Sequence, residues 1–389
     1  MESDLRHLLA RCVQCGKCRV VCPVFHVTRN ETDAARGRLH IVDHAGELPL
    51  SEVRRVLQRC LLCGACEAQC PQETPVTELI RAARSQWAPS SLKAAVASWM
   101  ADPARLSLLG EQGRTIAAIL GRRLADDSGL RLRLAPASLQ RRFPKPPQRS
   151  FLETHGEAKP DGDTALFVGC VMNNLLRRVP EAALQAYRTI DRNVAVPKEQ
   201  ACCGLMAFGA GDTVGAKKAA LAFMRTFERF DKIVTVCASC TTMLTEHLPE
   251  VLPEAAPLAK RVVDVHDDLL GAGFVPQTAE RFRGVRIGYH APCHYRFGHP
   301  EDAPLRFLKA LPDTETEELA PQCCGMGGSF AASNPTLSAK IASDRRAGIG
   351  NQDVLATSCS GCYLGLFDAA KTIKPIPQVV HPLEILVDR

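Results

Sequence analysis

Cys12-Val13-Gln14-Cys15-Gly16-Lys17-Cys18-Arg19-Val20-Val21-Cys22-Pro23 returns 48 residues later as Cys60-Leu61-Leu62-Cys63-Gly64-Ala65-Cys66-Glu67-Ala68-Gln69-Cys70-Pro71. The spacing C-x2-C-x2-C-x3-C-P belongs to modules with two iron–sulfur cubes, in which the fourth cysteine of each run closes the other run's cluster. It predicts one [4Fe-4S] cluster on Cys12, Cys15, Cys18 and Cys70, and a second on Cys60, Cys63, Cys66 and Cys22. Structural zinc also uses paired cysteines, but two complete and crossing sets of four favour iron.

Outward from these runs, 389 residues are too many for such a module alone and leave room for two or three domains. A second, longer repeat fills that room. Cys170 pairs with Cys293, Cys202-Cys203-Gly204 with Cys323-Cys324-Gly325, and Cys237-x-x-Cys240 with Cys359-x-x-Cys362, at offsets of 121 to 123 residues. Val265-His266 recurs as Val380-His381. Short apolar runs at 164–168, 232–236, 285–289 and 354–357 read as strands. Cys170, Cys237, Cys293 and Cys359 follow their carboxyl ends, where open α/β sheets place ligand sites. Residues 181–190 carry apolar side chains at helical spacing. The fold class expected is α+β and multidomain: an α-helical, ferredoxin-like module for two [4Fe-4S] clusters, then two copies of an α/β domain. The boundaries read as residues 1–90 for the module, 91–162 for a helical and Pro/Arg-rich linker, 163–275 for the first copy and 284–389 for the second. Gly271 to Gly284 is the expected joint between copies.

The N-terminus lacks a basic start with an apolar core, and no apolar stretch reaches the roughly 18 residues that a spanning helix needs. The expected compartment is a reducing cytoplasm, where eighteen cysteines point to metal ligation rather than disulfides. Arg122, Arg123, Arg131, Arg133, Arg141, Arg142, Lys145 and Arg149 crowd one region. This is either a solvated linker or a face for an acidic partner or acidic lipid, which would set the chain peripherally on the inner face of the cell membrane. Nucleic acid is not an expected partner. No G-x-G-x-x-G with a following acidic residue is present to hold a flavin or nicotinamide, and no carboxylate pair marks a catalytic acid and base.

Cys170, Cys202, Cys203, Cys237 and Cys240, and again Cys293, Cys323, Cys324, Cys359 and Cys362, resemble the CCG domains of heterodisulfide reductase catalytic subunits and their relatives. Those relatives include the iron–sulfur subunits of glycolate oxidase, anaerobic glycerol-3-phosphate dehydrogenase and lactate-utilisation complexes. The order of module and two CCG domains is most similar to the glycolate oxidase iron–sulfur subunit, and Asp33-Ala34-Ala35-Arg36-Gly37-Arg38-Leu39 resembles its D-x-x-R-G-R segment. The complete CxxC pairs look more like heterodisulfide reductases.

The resemblance implies noncubane [4Fe-4S] clusters in one or both CCG domains. Zinc in one domain, and free or disulfide-forming thiols, stay as alternatives. It also implies a role: electrons from FAD on a partner dehydrogenase, oxidising glycolate, D-lactate or a similar 2-hydroxy acid, pass through the clusters towards quinone or another acceptor. Two rivals stand beside it, a subunit that itself cleaves a disulfide at noncubane clusters and a non-catalytic carrier or docking subunit. His290 and His294 flank Cys293 and are placed to tune or complete a site, although a histidine bonded to backbone is the commoner outcome. Gly325, Gly327 and Gly328 are expected to let backbone approach a cluster.

Overall fold

The computed structural model describes residues 3–88, 91–121, 130–131, 142–298, 302–371 and 373–388. Arg122, Arg123, Arg133 and Arg141 of the basic stretch lie outside the described residues. The N-terminal module is a set of short helices, because each cysteine run is a loop that interrupts helical pairing. Helices Leu50–Gln58 and Val76–Trp87 carry apolar residues three and four apart. Val53, Leu57, Leu79 and Ile80 from these helices join Leu39 and Val42 in one small core, against which Cys12, Cys18, Cys60 and Cys66 pack. The cysteine loops are thereby held by the module's own interior.

Two parallel sheets follow. In the first copy β1 (Thr164–Phe167), β2 (Lys232–Thr235) and β3 (Val262–Asp264) lie in the order β1-β2-β3. In the second copy β4 (Val285–Tyr289), β5 (Thr314–Glu318), β6 (Val354–Ala356) and β7 (Gln378–Val380) lie in the order β5-β4-β6-β7. Ala165-Leu166-Phe167, Ile233-Val234 and Val354-Leu355-Ala356 are buried, as unbroken apolar strands covered on both faces are. Phe167 pairs with Thr235 and Thr235 with Asp264, while Tyr289 pairs with Ala356 and Ala356 with Val380. The strand ends are thus level, and the cysteines that follow them share one edge of each sheet.

The four apolar runs read from the sequence match β1, β2, β4 and β6 to within one residue, and the helix expected at 181–190 spans Arg178–Arg188. The expected linker is less detached than its composition suggests. Ser150 caps helix Phe151–His155 through a capping box with Glu153. Phe151 is fully buried in the core of the first copy, and Glu157 N–H donates to the Val196 carbonyl at 2.8 Å. Upstream, helix Ser91–Met100 lies against the same domain, where the Met100 carbonyl accepts from Cys202 N–H at 3.0 Å. Local proline content fixed the extended shape but not the surface it would lie on.

The segment between the copies is also packed. Phe274 stacks on Phe307 of the second copy, and Ala279 N–H donates to the Ile385 carbonyl at 3.0 Å. Phe307, Leu355, Leu366 and Leu383 of the second copy share one continuous core with Phe230 and Leu269 of the first. Burying one phenyl group stabilises by roughly 1.5–3 kcal/mol, so this shared core fixes the two sheets against each other.

The N-terminal module docks on both copies. Buried Arg84 donates to the Leu57 and Cys60 carbonyls at 2.7 and 2.6 Å, and to the Gly209 carbonyl of the first copy. Asn334 of the second copy donates to the Gln58 carbonyl at 2.9 Å. Gly327 meets Leu61 so closely that a Cβ there would overlap it, and a Cβ on Gly325 would lie 2.6 Å from the Ser338 carbonyl. These two glycines make room for neighbouring protein, and Gly327 and Gly328 also line the cavity that holds Cys60, Cys63, Cys323 and Cys324.

Candidate metal centres

The structure gathers the eight cysteines of the two short runs around two small cavities. Cys12, Cys15, Cys18, Cys66 and Cys70 line one. Cys22, Cys60, Cys63 and Cys66 line the other. In each case the remote fourth cysteine lies beside three from the other run. Cys15 is exposed and Cys22 buried, while the other six are half-buried. Burial pushes the Cys63 thiol up to about 12 and Cys66 well above its ordinary value. Thiols in such a place ionise only when a cation holds them.

The segment Asp33–Leu39 braces both sites. Asp33 is fully buried and paired with Arg59 at 3.0 Å. Arg36 donates to the Gln14 carbonyl of the first cysteine loop at 2.9 Å and to Glu31 at 2.8 Å. Gly37 packs against the Glu31 carbonyl with no room for a Cβ. Arg38, 2% exposed, donates to the Cys22 sulfur at 3.8 Å and the Arg59 carbonyl at 2.9 Å. A buried guanidinium needs negative charge nearby, and Cys22 and Cys60 would supply it on binding a metal as thiolates. The sequence marked this segment as a motif; the contact between Arg38 and Cys22 was out of reach because it depends on how a helix and a loop pack.

Nine of the ten remaining cysteines, all but Cys293, form a chain of sulfur contacts that crosses from one copy to the other. Cys170 donates to Cys202 at 3.7 Å, and further contacts link Cys202 to Cys203, Cys203 to Cys240 and Cys240 to Cys237. Cys237 meets Cys359 of the second copy, and the chain goes on through Cys362 and Cys324 to Cys323. Cys202, Cys237 and Cys324 are held well below the ordinary thiol value, each mainly because a neighbouring thiol donates to it, from Cys170, Cys240 and Cys323 respectively. Cys170 and Cys323 are pushed up in turn by the same bonds, and Cys240 by its contact with Cys203 and then by that with Cys237. Cys293 is pushed up by burial, with Cys63 of the N-terminal module and Cys324 adding to the rise.

The two CxxC loops also touch directly. Ser239 Oγ lies 2.9 Å from Cys359 Sγ, and Cys237 Sγ lies 3.3 Å from Ser360 Oγ. Ala238 N–H donates to the Ser358 carbonyl at 3.0 Å. His266 and His381, the accessory pair of the long repeat, stack across the same boundary at 5.3 Å. His266 is fixed by Asp264 at 2.7 Å, and Asp264 also accepts from Tyr295. Nothing in local periodicity announced that these residues meet.

Nine of the ten CCG cysteines, all but Cys237, line one cavity of about 850 Å³ together with Cys60 and Cys63. Arg81, held by Glu250 at 2.5 Å and laid over the Phe208 ring at 3.9 Å, forms part of its wall. His294 is there too, with Nδ1 3.2 Å from Ser239 Oγ. His290 departs from the commoner outcome: it is 2% exposed, neither ring nitrogen has an oxygen or nitrogen partner among the described residues, and its polar contact is Cys324. Burial holds its imidazole below the ordinary value. Packed sulfurs with such a nitrogen beside them are a donor set for iron or zinc.

Residues 8–74 match the 4Fe-4S dicluster domain family, and residues 164–245 and 287–367 each match the cysteine-rich domain family. The chain is 32% identical over 234 residues to lactate utilization protein A of Geobacillus kaustophilus (strain HTA426), a match covering 57% of this chain and 97% of that protein. The chain belongs to the lactate utilization protein A family. Within that family it is also 29% identical over 238 residues to the Bacillus pumilus (strain SAFR-032) protein, covering 58% of this chain and 98% of the relative. A more distant likeness, 27% over 226 residues, is to a CoM/CoB fumarate reductase polypeptide of Methanothermobacter marburgensis, covering 57% of this chain and 45% of that polypeptide. With both domain families present, the protein is an iron–sulfur electron-transfer protein. Among the described residues no helix is long and apolar enough to cross a membrane.

Proposed function

We propose that this chain is the iron–sulfur subunit of a flavin-dependent 2-hydroxy-acid dehydrogenase complex, acting on D-lactate or glycolate, with FAD on a partner subunit and quinone or another acceptor beyond. Cys12, Cys15, Cys18 and Cys70 would hold one [4Fe-4S] cluster, and Cys60, Cys63, Cys66 and Cys22 the second. The two CCG sets would hold one or two further centres of noncubane type. Bound clusters supply one-electron steps, which a two-electron hydroxy-acid oxidation requires on its way to a remote acceptor.

The observation that carries this reading is the continuity of ligands. Exposed Cys15 stands at one end. Cys63 lines one cavity with Cys293 and Cys323, and Cys237 meets Cys359 at the boundary between copies. The protein keeps these groups in order by packing: Arg84 ties the second cysteine loop to the first copy, and Asn334 ties Gln58 to the second. The test is anaerobic isolation of the full chain, then mixing with an FAD-containing D-lactate or glycolate dehydrogenase. Appearance of reduced-cluster EPR signals on adding hydroxy acid is expected; signals that appear only with dithionite would sink the proposal.

The complete CxxC pairs, of which Cys240, Cys359 and Cys362 line the 850 Å³ cavity, favour a second reading, direct cleavage of a disulfide substrate there. Turnover of an organic disulfide by the reduced chain would support it, and absence of turnover would remove it.

A further inference from the structure

The long repeat makes each copy a control for the other, and at one place they differ chemically. Counted back from the first cysteine of each set, His290 occupies the position of Phe167. The glycines of the two Cys-Cys-Gly units also align the helices they pack on, since Gly204 faces the Ala216 carbonyl and Gly325 the Ser338 carbonyl. The same register places Arg345 opposite Phe223. In the first copy Phe167 and Phe223 are an aromatic pair, 5.6 Å between ring centroids. In the second copy that apolar pair is a buried histidine and a buried arginine.

Both replacements face the same sulfurs. A His290 ring nitrogen, Cys324 Sγ and Cys362 Sγ lie within 4.8 Å of one another. Arg345 is 1% exposed, donates to the Ala320 carbonyl at 2.8 Å, keeps Nε and Nη2 without an oxygen or nitrogen partner among the described residues, and lies near Arg296, Cys324 and Cys362. Leaving a buried imidazole and part of a buried guanidinium unbonded costs free energy in a protein interior. An apolar pair would fill the same position without that cost, as Phe167 and Phe223 do. The retained polarity is accounted for when imidazole nitrogen binds a cation and the arginine offsets the thiolate charge around it.

We propose that the second CCG domain binds its metal through a mixed set, with His290 nitrogen as ligand beside Cys324 and Cys362, whereas the first binds through sulfur alone. This rests on reading the CCG cysteines as metal sites. The shared chemistry is a thiolate–imidazole site, which zinc and iron both accept. The two copies are then chemically unequal centres despite matching cysteines.

The test uses the full chain, purified without oxygen from cells fed natural or ¹⁵N-labelled histidine. Iron and zinc analysis states which metal is present; zinc is read by X-ray absorption and iron by pulsed EPR. The expected result is one nitrogen in the zinc shell, or one directly bonded histidine nitrogen on iron, which disappears in His290→Phe while both ferredoxin-type EPR signals stay. His290→Cys is the second variant, expected to keep the metal and lose the nitrogen. Absence of bonded nitrogen in the wild type, coupling only of hydrogen-bond strength, or a nitrogen that survives both substitutions overturns the proposal. Failure to accept electrons from a hydroxy-acid dehydrogenase is a separate outcome, since these readouts need no donor.

Discussion

Arg38 lies buried against Cys22 and Cys60, and its positive charge favours whatever state of the second ferredoxin-type site is more negative. Arg38→Leu is therefore expected to lower that site's reduction potential by on the order of 60 mV or more, about 1.4 kcal/mol for one electron. An EPR-monitored redox titration checks it, with the site on Cys12, Cys15 and Cys18 as internal reference. His381 makes a second residue-scale case. Burial, with His266 alongside, pushes its imidazole down to about 3 from 6.5. A histidine kept neutral by folding contributes stability that is complete above pH 6.5 and is lost as pH falls towards 3. The slope is about 1.4 kcal/mol per pH unit. Glu384, pushed up by burial from 4.5 to about 7, acts with the opposite sign over its own window. Comparison with a variant isolates the histidine: from pH 7 to 5, His381→Gln should lose less thermal stability than the wild type, and parallel melting curves would contradict this.

At the scale of elements, the contact between Gly327 and Leu61 joins the second copy to the loop between Cys60 and Cys63. Gly327→Val should destabilise the chain by about 1–3 kcal/mol through overpacking. Adding Leu61→Ala should restore part of that loss, which denaturant unfolding of the single and double variants will measure. Elements of this kind divide what a sequence exposes from what it hides. β1, β2, β4 and β6 were legible because each is an apolar run bounded by turn residues, and the cysteine runs were legible because ligand spacing is local. The packing of helix Ser91–Met100 on the first copy was not, nor was the role of Arg84 or the meeting of Cys237 with Cys359. Those depend on the placement of surfaces many residues apart, for which a single sequence has no periodic signal. His290 lies between: the repeat aligned it with Phe167, and only burial without a partner gave that difference a meaning.

Across the whole molecule, the two short runs are expected to serve each other. Cys22→Ala should abolish the EPR signal of the site on Cys60, Cys63 and Cys66 and spare the other, and an intact second signal would refute the crossed ligand sets. The long repeat has its own large-scale logic. The copies meet through like parts: CxxC loop on CxxC loop, His266 on His381. A surface that pairs with its own counterpart is the geometry of an isologous dimer. The chain thus carries within one polypeptide what two identical chains would otherwise build around a two-fold axis. Symmetry of that kind forbids difference, because any change appears on both sides at once. Fusion of the halves lifts the prohibition, and one side can place a histidine and an arginine where the other keeps two phenylalanines.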